Sequence, residues 1–550
     1  MNGEQYIKAQ IEQAVRDIGF PEAGSLAIVL EQPKSAEHGD LATNVAMVLA
    51  SKLKKNPRQI AADIVQRLDL DKSLVSGVEI AGAGFLNFRF GSSYYQNSLP
   101  AILAMDRTYG QSDLGKGTRV QFEFVSANPT GPLNVVSARA AAVGDVMGNL
   151  FAAAGFYVEK EYYVNDAGRQ IKLLGQSVSS RYMTLLGKQE PFPEEGYHGD
   201  YVKELAQELV DQQGDTFAKL PTEERCEQLA EWALESLLAS QKQVLERYGL
   251  SYDNWFRERS LRDKRSHQQV LDKLSKLGHV YEKDGAKWFR STDFGDEKDR
   301  VLVTSAGEPT YFLVDVAYHA DKYERHFDLL YDLWGPDHHG YIPRMKAALL
   351  ALGYPKGTFD VQIIQQVNLL QDGETVKMSK RAGKIIEMKE LLDEVGVDVA
   401  RYFFVARRNQ SPLDFDLDLA KNTSEENPVY YVQYAHARIC NIMRHAEEQG
   451  VSLVAEADLS LLQEEEELNL IKKMLQFPDL VGKAAIYLEP HRVPAYLQEF
   501  AGAFHKFYHH HRVVTDKLAL TRARLVLVKG TQIVLANGLK LLGLSAPERM

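Results

Sequence analysis

An apolar, strand-like run from Arg119 to Val125 passes through a Pro/Gly turn into an Ala-rich stretch around Ala138–Asp145, and a second strand-like run follows from Tyr157 to Val164. Strand, helix and strand in that order make a β-α-β unit, which implies parallel strands joined by a right-handed crossover. Further sheet pieces are read at Leu329–Leu333 and Phe359–Gln365. A chain built on this unit is an α/β protein. At 550 residues it exceeds what one hydrophobic core supports, so several domains are expected.

The flanking regions read differently. Residues 1–110 form an α+β module, with helical periodicity through Tyr6, Ile7, Ile11, Val15 and Ile18 and again over 44–68, and strand-like pieces at 26–30 and 84–90. The cluster Tyr109–Asp113 reads as a linker. The α/β unit is expected over 116–405, interrupted by a long, charged, helical insertion at about 183–300. From about 406 to 550 the pattern is a helical bundle, with no strand evident beyond Asp414 and amphipathic helices at Val432–His445 and Leu525–Leu542.

Composition narrows the class. Net charge is −11, which argues against wholesale coating of nucleic acid and against DNA as a partner, although the C-terminal end is locally basic. No apolar run reaches the roughly 18–20 residues of a membrane span, and the N-terminus lacks the apolar centre of a secretory signal. Cys226 and Cys440 have no partner spacing, read as thiols of a reducing cytosol, and cannot build a zinc site unaided. A cytoplasmic location with no membrane partner and no protein-bound metal is expected.

Two segments carry chemistry. The turn Ser126–Ser137 lies beyond the carboxyl end of a strand and before a helix N-terminus, where parallel α/β sheets bind anions. Far downstream, Lys377, Lys380, Arg381 and Lys384 crowd four cations into eight positions, an arrangement a triphosphate would collect. Each has a plain reading, as a strand–helix connection and as a solvated basic loop. The near phosphate-loop match Gly110-x4-Gly115-Lys116 fails, because Gly117 stands where Ser or Thr would hold magnesium.

The segments Glu123–Arg139, Tyr162–Gln170, Trp334–Tyr341, Lys377–Lys380 and Ala536–Leu539 together resemble class I arginyl-tRNA synthetase, and Glu37–Asn44 is similar to that family's extra N-terminal domain. The resemblance covers nearly the whole chain. It implies a Rossmann-type parallel-sheet core between an N-terminal α+β domain that contacts tRNA and an all-α anticodon-binding bundle. It implies activation of L-arginine by ATP, with Mg2+ accompanying the nucleotide, and transfer to tRNA(Arg) by a monomer that needs bound tRNA first. Carried over residue by residue, Glu123, Asn128, Tyr311, Asp315 and His338 would bind arginine; Lys377, Ser379, Lys380, Asn134 and Ser137 would be catalytic; and Arg139 and Met378 would join the ATP site. Two buried carboxylates suit a guanidinium, which pairs bidentately.

One departure stands out. The family's His-x-Gly-His is replaced by Asn134, Val135, Val136 and Ser137, which can donate hydrogen bonds but never as cations. Charge-assisted bonds are worth about 1.5–3 kcal/mol against roughly 1 for neutral ones, so the change motivates an alternative: a catalytically impaired synthetase-like regulator. A cysteine-specific class I enzyme is a weaker rival, since its zinc ligands are absent. In the C-terminal bundle, Phe504, Phe507 and Tyr508 interleave with His505, His509, His510, His511 and Arg512. Aromatics beside cations suit unstacked RNA bases, or else form a buried stripe. Tyr508, Arg512 and Arg522 are the candidate tRNA contacts.

Overall fold

The structure is a computed structural model, and it describes residues 3–20, 22, 24, 26–33, 35–376, 386–454 and 456–550. At its centre lie β1 (Arg119–Glu123), β2 (Tyr157–Val164), β3 (Asn254–Arg257), β4 (Leu329–Trp334) and β5 (Phe359–Ile363). All four pairings are parallel and the order across the sheet is β5-β4-β1-β2-β3. The winding reverses between β1 and β4, and in such sheets the crevice at that switch point is the ligand site.

Helix α1 (Val135–Ala153) crosses behind β1 and is buried almost throughout. It lies close because Gly144 faces the Phe124 ring, where an added Cβ would sit 2.3 Å from the ring carbons. One apolar core runs from Phe122 and Val146 through Phe477, Phe500 and Leu535, so catalytic sheet and C-terminal helices share an interior. The N-terminal module has its own core around Ile7, Ile60 and Phe88.

Several expectations change in detail. The piece at 26–30 forms no strand; only a bridge between Glu31 and Ala42 is made, and the module's three-stranded sheet comes from Leu41–Thr43, Val75–Ala81 and Phe85–Phe90. The helical stretch 44–68 is two helices, Val45–Leu53 and Pro57–Arg67, because Asn56 caps a fresh start at Pro57. The segment 183–300 is not wholly helical. Its helices Asp200–Gln213 and α2 (Thr222–Arg247) are followed by β3, which returns to the core sheet, and by an antiparallel sheet of Val280–Lys283, Ala286–Phe289 and Arg300–Val303. Strand Leu413–Asp416 pairs with Val367–Gln371, so strand structure extends slightly past the expected limit.

A buried ionic junction fixes the bundle to the core. Arg401 is fully buried, pairs with Asp145 of α1, and donates to the carbonyls of Tyr248 and Leu542, each at 2.9 Å. Lys160 of β2 holds the other oxygen of Asp145 at 2.5 Å. Gly543 (φ 68°) follows the end of the helix Leu518–Leu541 in the left-handed region, and a Cβ there would meet the Arg401 guanidinium at 2.2 Å. Removing one partner of a buried pair strands the rest. Arg401→Met is therefore expected to destabilise the protein by about 3–5 kcal/mol, read as a lowered midpoint in thermal or urea unfolding.

Candidate active site

The crevice between β1 and β4 is built on a row of acids. Parallel register sets Glu123 of β1 beside Asp332 of β4 on one side and beside Glu161 of β2 on the other. Three carboxylates side by side on adjacent strands repel one another, and the compensation comes from one helix, α3 (Tyr311–Glu324), packed across them. Lys322 reaches Glu123 at 2.6 Å and Asp332 at 2.9 Å. His319 meets Asp332 at 2.8 Å, Tyr318 donates to Glu161 at 2.6 Å, and Arg325, capping the helix, grips both oxygens of Glu161 at 2.5 and 2.9 Å. Burial pushes the Asp332 carboxyl up, but Lys322 and His319 outweigh it and hold it down at about 2. For Glu123 burial prevails and the shift is upward, with Lys322 opposing it.

Asp315 stands on the same helix, at the edge of this row. Its carboxylate accepts from the Tyr341 hydroxyl at 2.8 Å. Burial pushes its pKa up to about 6, against the Tyr341 bond and the nearby His319. Glu258 is close enough for its charge to act on both Asp315 and Tyr163. Glu123, Asp315, Tyr163, Glu258 and Tyr341 thus surround an acidic recess; Tyr341, Tyr163 and Glu258 are the members that sequence reasoning missed. Tyr163 and Tyr341 did lie inside the quoted Tyr162–Gln170 and Trp334–Tyr341 segments.

The turn after β1 is held in an unusual shape. Val125 (φ 70°) and Ser126 (φ 39°) are both left-handed, and Ser126 N–H donates back to the Phe124 carbonyl at 3.0 Å. This is a γ-turn of the rare positive-φ kind, strained for a β-branched residue. Side chains from other elements hold it. Tyr252 donates to the Phe124 carbonyl at 3.0 Å, Tyr162 to Ala127 at 3.0 Å, Tyr201 to Thr130 at 2.7 Å, and Gln241 to Gly131 at 2.8 Å. The result turns Ser126 so that its hydroxyl donates to Glu123 at 2.8 Å while accepting the Tyr163 N–H at 3.1 Å.

Beyond the turn, Asn134 caps α1, accepting the Ser137 N–H at 3.0 Å. Ser137 is half-buried beside it, and Val136 is exposed on the same first turn. Capping in this way leaves the Val135 and Val136 N–H groups at the helix N-terminus, where the dipole favours an anion. Lys377, Met378, Ser379, Lys380 and Lys384 lie outside the described residues. The chain on either side is anchored to the site: Val376 N–H donates to Leu369 at 2.8 Å, and Met388 N–H donates to Leu133 at 2.8 Å, beside a bridge between Glu387 and Asn134.

Other candidates sort as follows. Asn128 is exposed at the turn, and Tyr311 is 70 % exposed on the first turn of α3, one helical turn from Asp315. His338 is exposed on the single-turn helix Pro336–Tyr341, with Trp334 as its ring neighbour; that helix touches Asp315 through Tyr341 instead. The expectation that Arg139 reaches the ATP phosphates is corrected. Its buried guanidinium donates to the carbonyls of Gln365, Gln366, Arg408 and Ser411, which locks α1 to the chain after β5.

In the bundle, α4 (Pro428–Glu448), α5 (Arg492–His510) and α6 (Leu518–Leu541) pack together. Phe504 and Phe507 are fully buried, so for them the stripe reading holds, whereas Tyr508 is exposed. The Arg438 guanidinium lies between Tyr434 (4.4 Å) and Tyr508 (5.0 Å), a platform not read from the sequence because its members sit on two helices. Arg512 and Arg522 are exposed. His510 and His511 contact Glu466 at 3.3 and 3.2 Å.

A parallel sheet in this order, with its acidic recess at the switch point and a capped helix N-terminus next to it, is a doubly wound nucleotide-binding core, and the family model that covers it makes it a class I aminoacyl-tRNA synthetase core. The family model described as the class I (R) tRNA synthetase catalytic domain matches residues 98–445, the arginyl-tRNA synthetase N-terminal domain 5–90, and the DALR anticodon-binding domain 432–550. An arginine–tRNA ligase of Listeria monocytogenes serotype 4a is 50 % identical over 544 residues, 98 % of each chain, and one of Geobacillus thermodenitrificans is 49 % identical over 550 residues, 100 % of this chain and 99 % of that one. The Thermus thermophilus arginyl-tRNA synthetase structure shares the fold, with a TM-score of 0.77, 23 % identity, and 99 % and 100 % of the two chains covered. The chain belongs to the arginyl-tRNA synthetase family and is an enzyme of the ligase class. Nothing in these comparisons supports the impaired-regulator alternative.

With Asp315 as the guanidinium acceptor that the family resemblance implies, its shift has a consequence for substrate capture. A guanidinium needs the carboxylate, which predominates above about pH 6 in the empty site and is lost below it. The kcat/KM for arginine in ATP–pyrophosphate exchange is expected to fall up to tenfold per unit as pH drops below that value. Asp315→Asn should remove the Asp315 part of this limb and leave a shallower one set by Glu123, whose carboxyl burial also pushes up.

Proposed function

We propose that the arginine–tRNA ligase reaction runs through this cleft as follows. Glu123 and Asp315 accept the guanidinium of L-arginine, with Tyr311, Tyr341 and Asn128 completing the seat and Asn128 nearest the amino group. ATP lies across the N-terminus of α1, its phosphates served by the free N–H groups there, by Asn134 and Ser137, and by Lys377 and Lys380, with Ser379 and Met378 in the same loop. Mg2+ enters as the nucleotide's chelate. The observation that carries this reading is the acidic recess at the switch point, joined by the turn after β1 to an anion-seeking helix end.

The chemistry follows from placement. The arginine carboxylate attacks the α-phosphorus in line, forming arginyl-adenylate and releasing pyrophosphate; the terminal adenosine hydroxyl of tRNA(Arg) then takes the arginyl group and AMP leaves. Positioning and charge stabilisation suffice for both steps, without a covalent enzyme intermediate. Asn134 and Ser137 replace two imidazoles, and the α1 N–H groups with the lysine loop supply the compensation. His338 is left outside the seat, its place taken by Tyr341.

Residues 1–110 and 406–550 are assigned to tRNA, the latter to the anticodon through Tyr508, Arg512, Arg522 and the Arg438–Tyr434 platform. The enzyme works in the cytoplasm as a monomer, without membrane or DNA partners. Among the described residues no helix is long and apolar enough to cross a membrane.

Two experiments test the scheme. In arginine-dependent pyrophosphate exchange with tRNA present, Lys380→Ala is expected to lower kcat by about a hundredfold or more. Asp315→Asn should raise the arginine KM by about 30-fold and weaken selection against neutral analogues. Wild-type constants in the second variant would refute the seat. Separately, Arg438→Ala should raise the tRNA KM by about tenfold or more in aminoacylation while leaving the arginine KM unchanged.

A further inference from the structure

Of the three acids in register across the sheet, Asp332 and Glu161 have side chains only 1 % exposed, while Glu123 retains 10 % and opens to the recess. Glu123 is thus the member of the row that a substrate can touch. Yet each of its oxygens already has a partner, Ser126 on Oε1 and Lys322 on Oε2. A carboxylate offers about four acceptor sites, so two remain, enough for a bidentate guanidinium. They remain only while the group is ionised.

We propose that Lys322 is a positioning residue for arginine selection: its buried ammonium, shared between Glu123 and Asp332, keeps Glu123 an anion with two acceptor sites open to the cleft. This rests on the seat assigned above. Lys322 is fully buried, its ammonium 4.5 Å from the Tyr318 ring centre, so solvent does not screen it.

The groups facing Glu123 make the case. From α3 come Asp315, His319 and Lys322; from β4 comes Asp332; from β2, Glu161 stands in register. Tyr252 and Tyr318 feel its charge as well. Arg325 is committed to Glu161 and Asp321, and His319 contributes charge only when protonated. Lys322 is therefore the one permanent cation bonded to Glu123 among the described residues. Without it, buried like charges favour protonation of Glu123, and a carboxylic acid presents an O–H where the guanidinium presents N–H donors.

The test is Lys322→Met, assayed by arginine-dependent pyrophosphate exchange with tRNA across acid to alkaline pH, with circular dichroism to verify folding. The arginine KM at neutral pH is expected to rise about 30-fold or more, with kcat at saturating arginine changing far less. The acid limb of kcat/KM should move to higher pH by about one unit or more, and Lys322→Arg should bring it back. An unchanged KM, or a raised KM with the wild-type acid limb, would overturn the proposal, since a purely structural role moves no titration.

Should Lys322→Met fail to fold, Lys322→Gln with Asp332→Asn removes the anion that would be left unpaired, while still depriving Glu123 of its cation. A smaller shift in the same direction is expected there, because losing the Asp332 charge offsets part of the loss of Lys322, and a wild-type profile would overturn the inference. Asp315→Asn separates the two readings: if it leaves arginine binding intact, the seat itself is wrong. If it abolishes binding while the Lys322 variants behave as wild type, only the role of Lys322 falls.

Discussion

Parallel pairing of β4, β1 and β2 sets Asp332, Glu123 and Glu161 shoulder to shoulder. Left alone, such a row would break the sheet's register or protonate. It persists because His319, Lys322 and Arg325 recur every three residues along one helix and answer the acids strand by strand. The helix is thereby fixed over the crevice, and its first turns deliver Tyr311 and Asp315 to the edge. The proposed seat and the scaffold meet in Glu123, whose ion pair with Lys322 belongs to this row. Buried pairs of this kind contribute little net stability but are severe when half removed, which makes the arrangement a device for geometry rather than for strength.

A second constraint holds the other wall. The left-handed Val125 and Ser126 would relax toward ordinary backbone if free, and each such residue costs of order 1–3 kcal/mol. Hydroxyls of Tyr252, Tyr162 and Tyr201 and the amide of Gln241 take up carbonyls along the turn. Three of these braces come from residues 201–252, so the excursion between β2 and β3 supports the chemistry as well as decorating the core. The strain aims the Ser126 hydroxyl at Glu123, the same carboxylate that Lys322 grips from the opposite side.

Much of this was legible in the sequence where the signal is local. The β-α-β unit, Glu123 at a strand end, and Tyr311 with Asp315 one helical turn apart all follow from period and spacing or from family motifs. Asn134 sits where a helix would start, and it does cap one. What escaped depends on partners distant in the chain. Lys322 looked like any helical lysine, because its acids lie 199 and 10 residues away and only the sheet register unites them. Arg139 looked like a phosphate ligand because it follows a nucleotide-binding turn, but residues 226 to 272 positions downstream offer it carbonyls first. Strand β3 hid inside a helical insertion, being four residues long with Asn and Arg at its ends.

Helix α1 carries the argument from cleft to bundle. Its N-terminus is the proposed nucleotide site, and it is stitched there to the chain leading from the lysine loop through Leu133 and Met388. Three turns on, Asp145 binds Arg401, whose remaining donors hold the carbonyls of Tyr248 and Leu542, and Asn149 holds that of Leu541. The last helix of the bundle therefore ends on the same rod whose N-terminus is the proposed nucleotide site. The junction is tightly filled, since Gly543 abuts the guanidinium and Arg401 is fully buried, so the end of the bundle and the middle of α1 are packed as one interior.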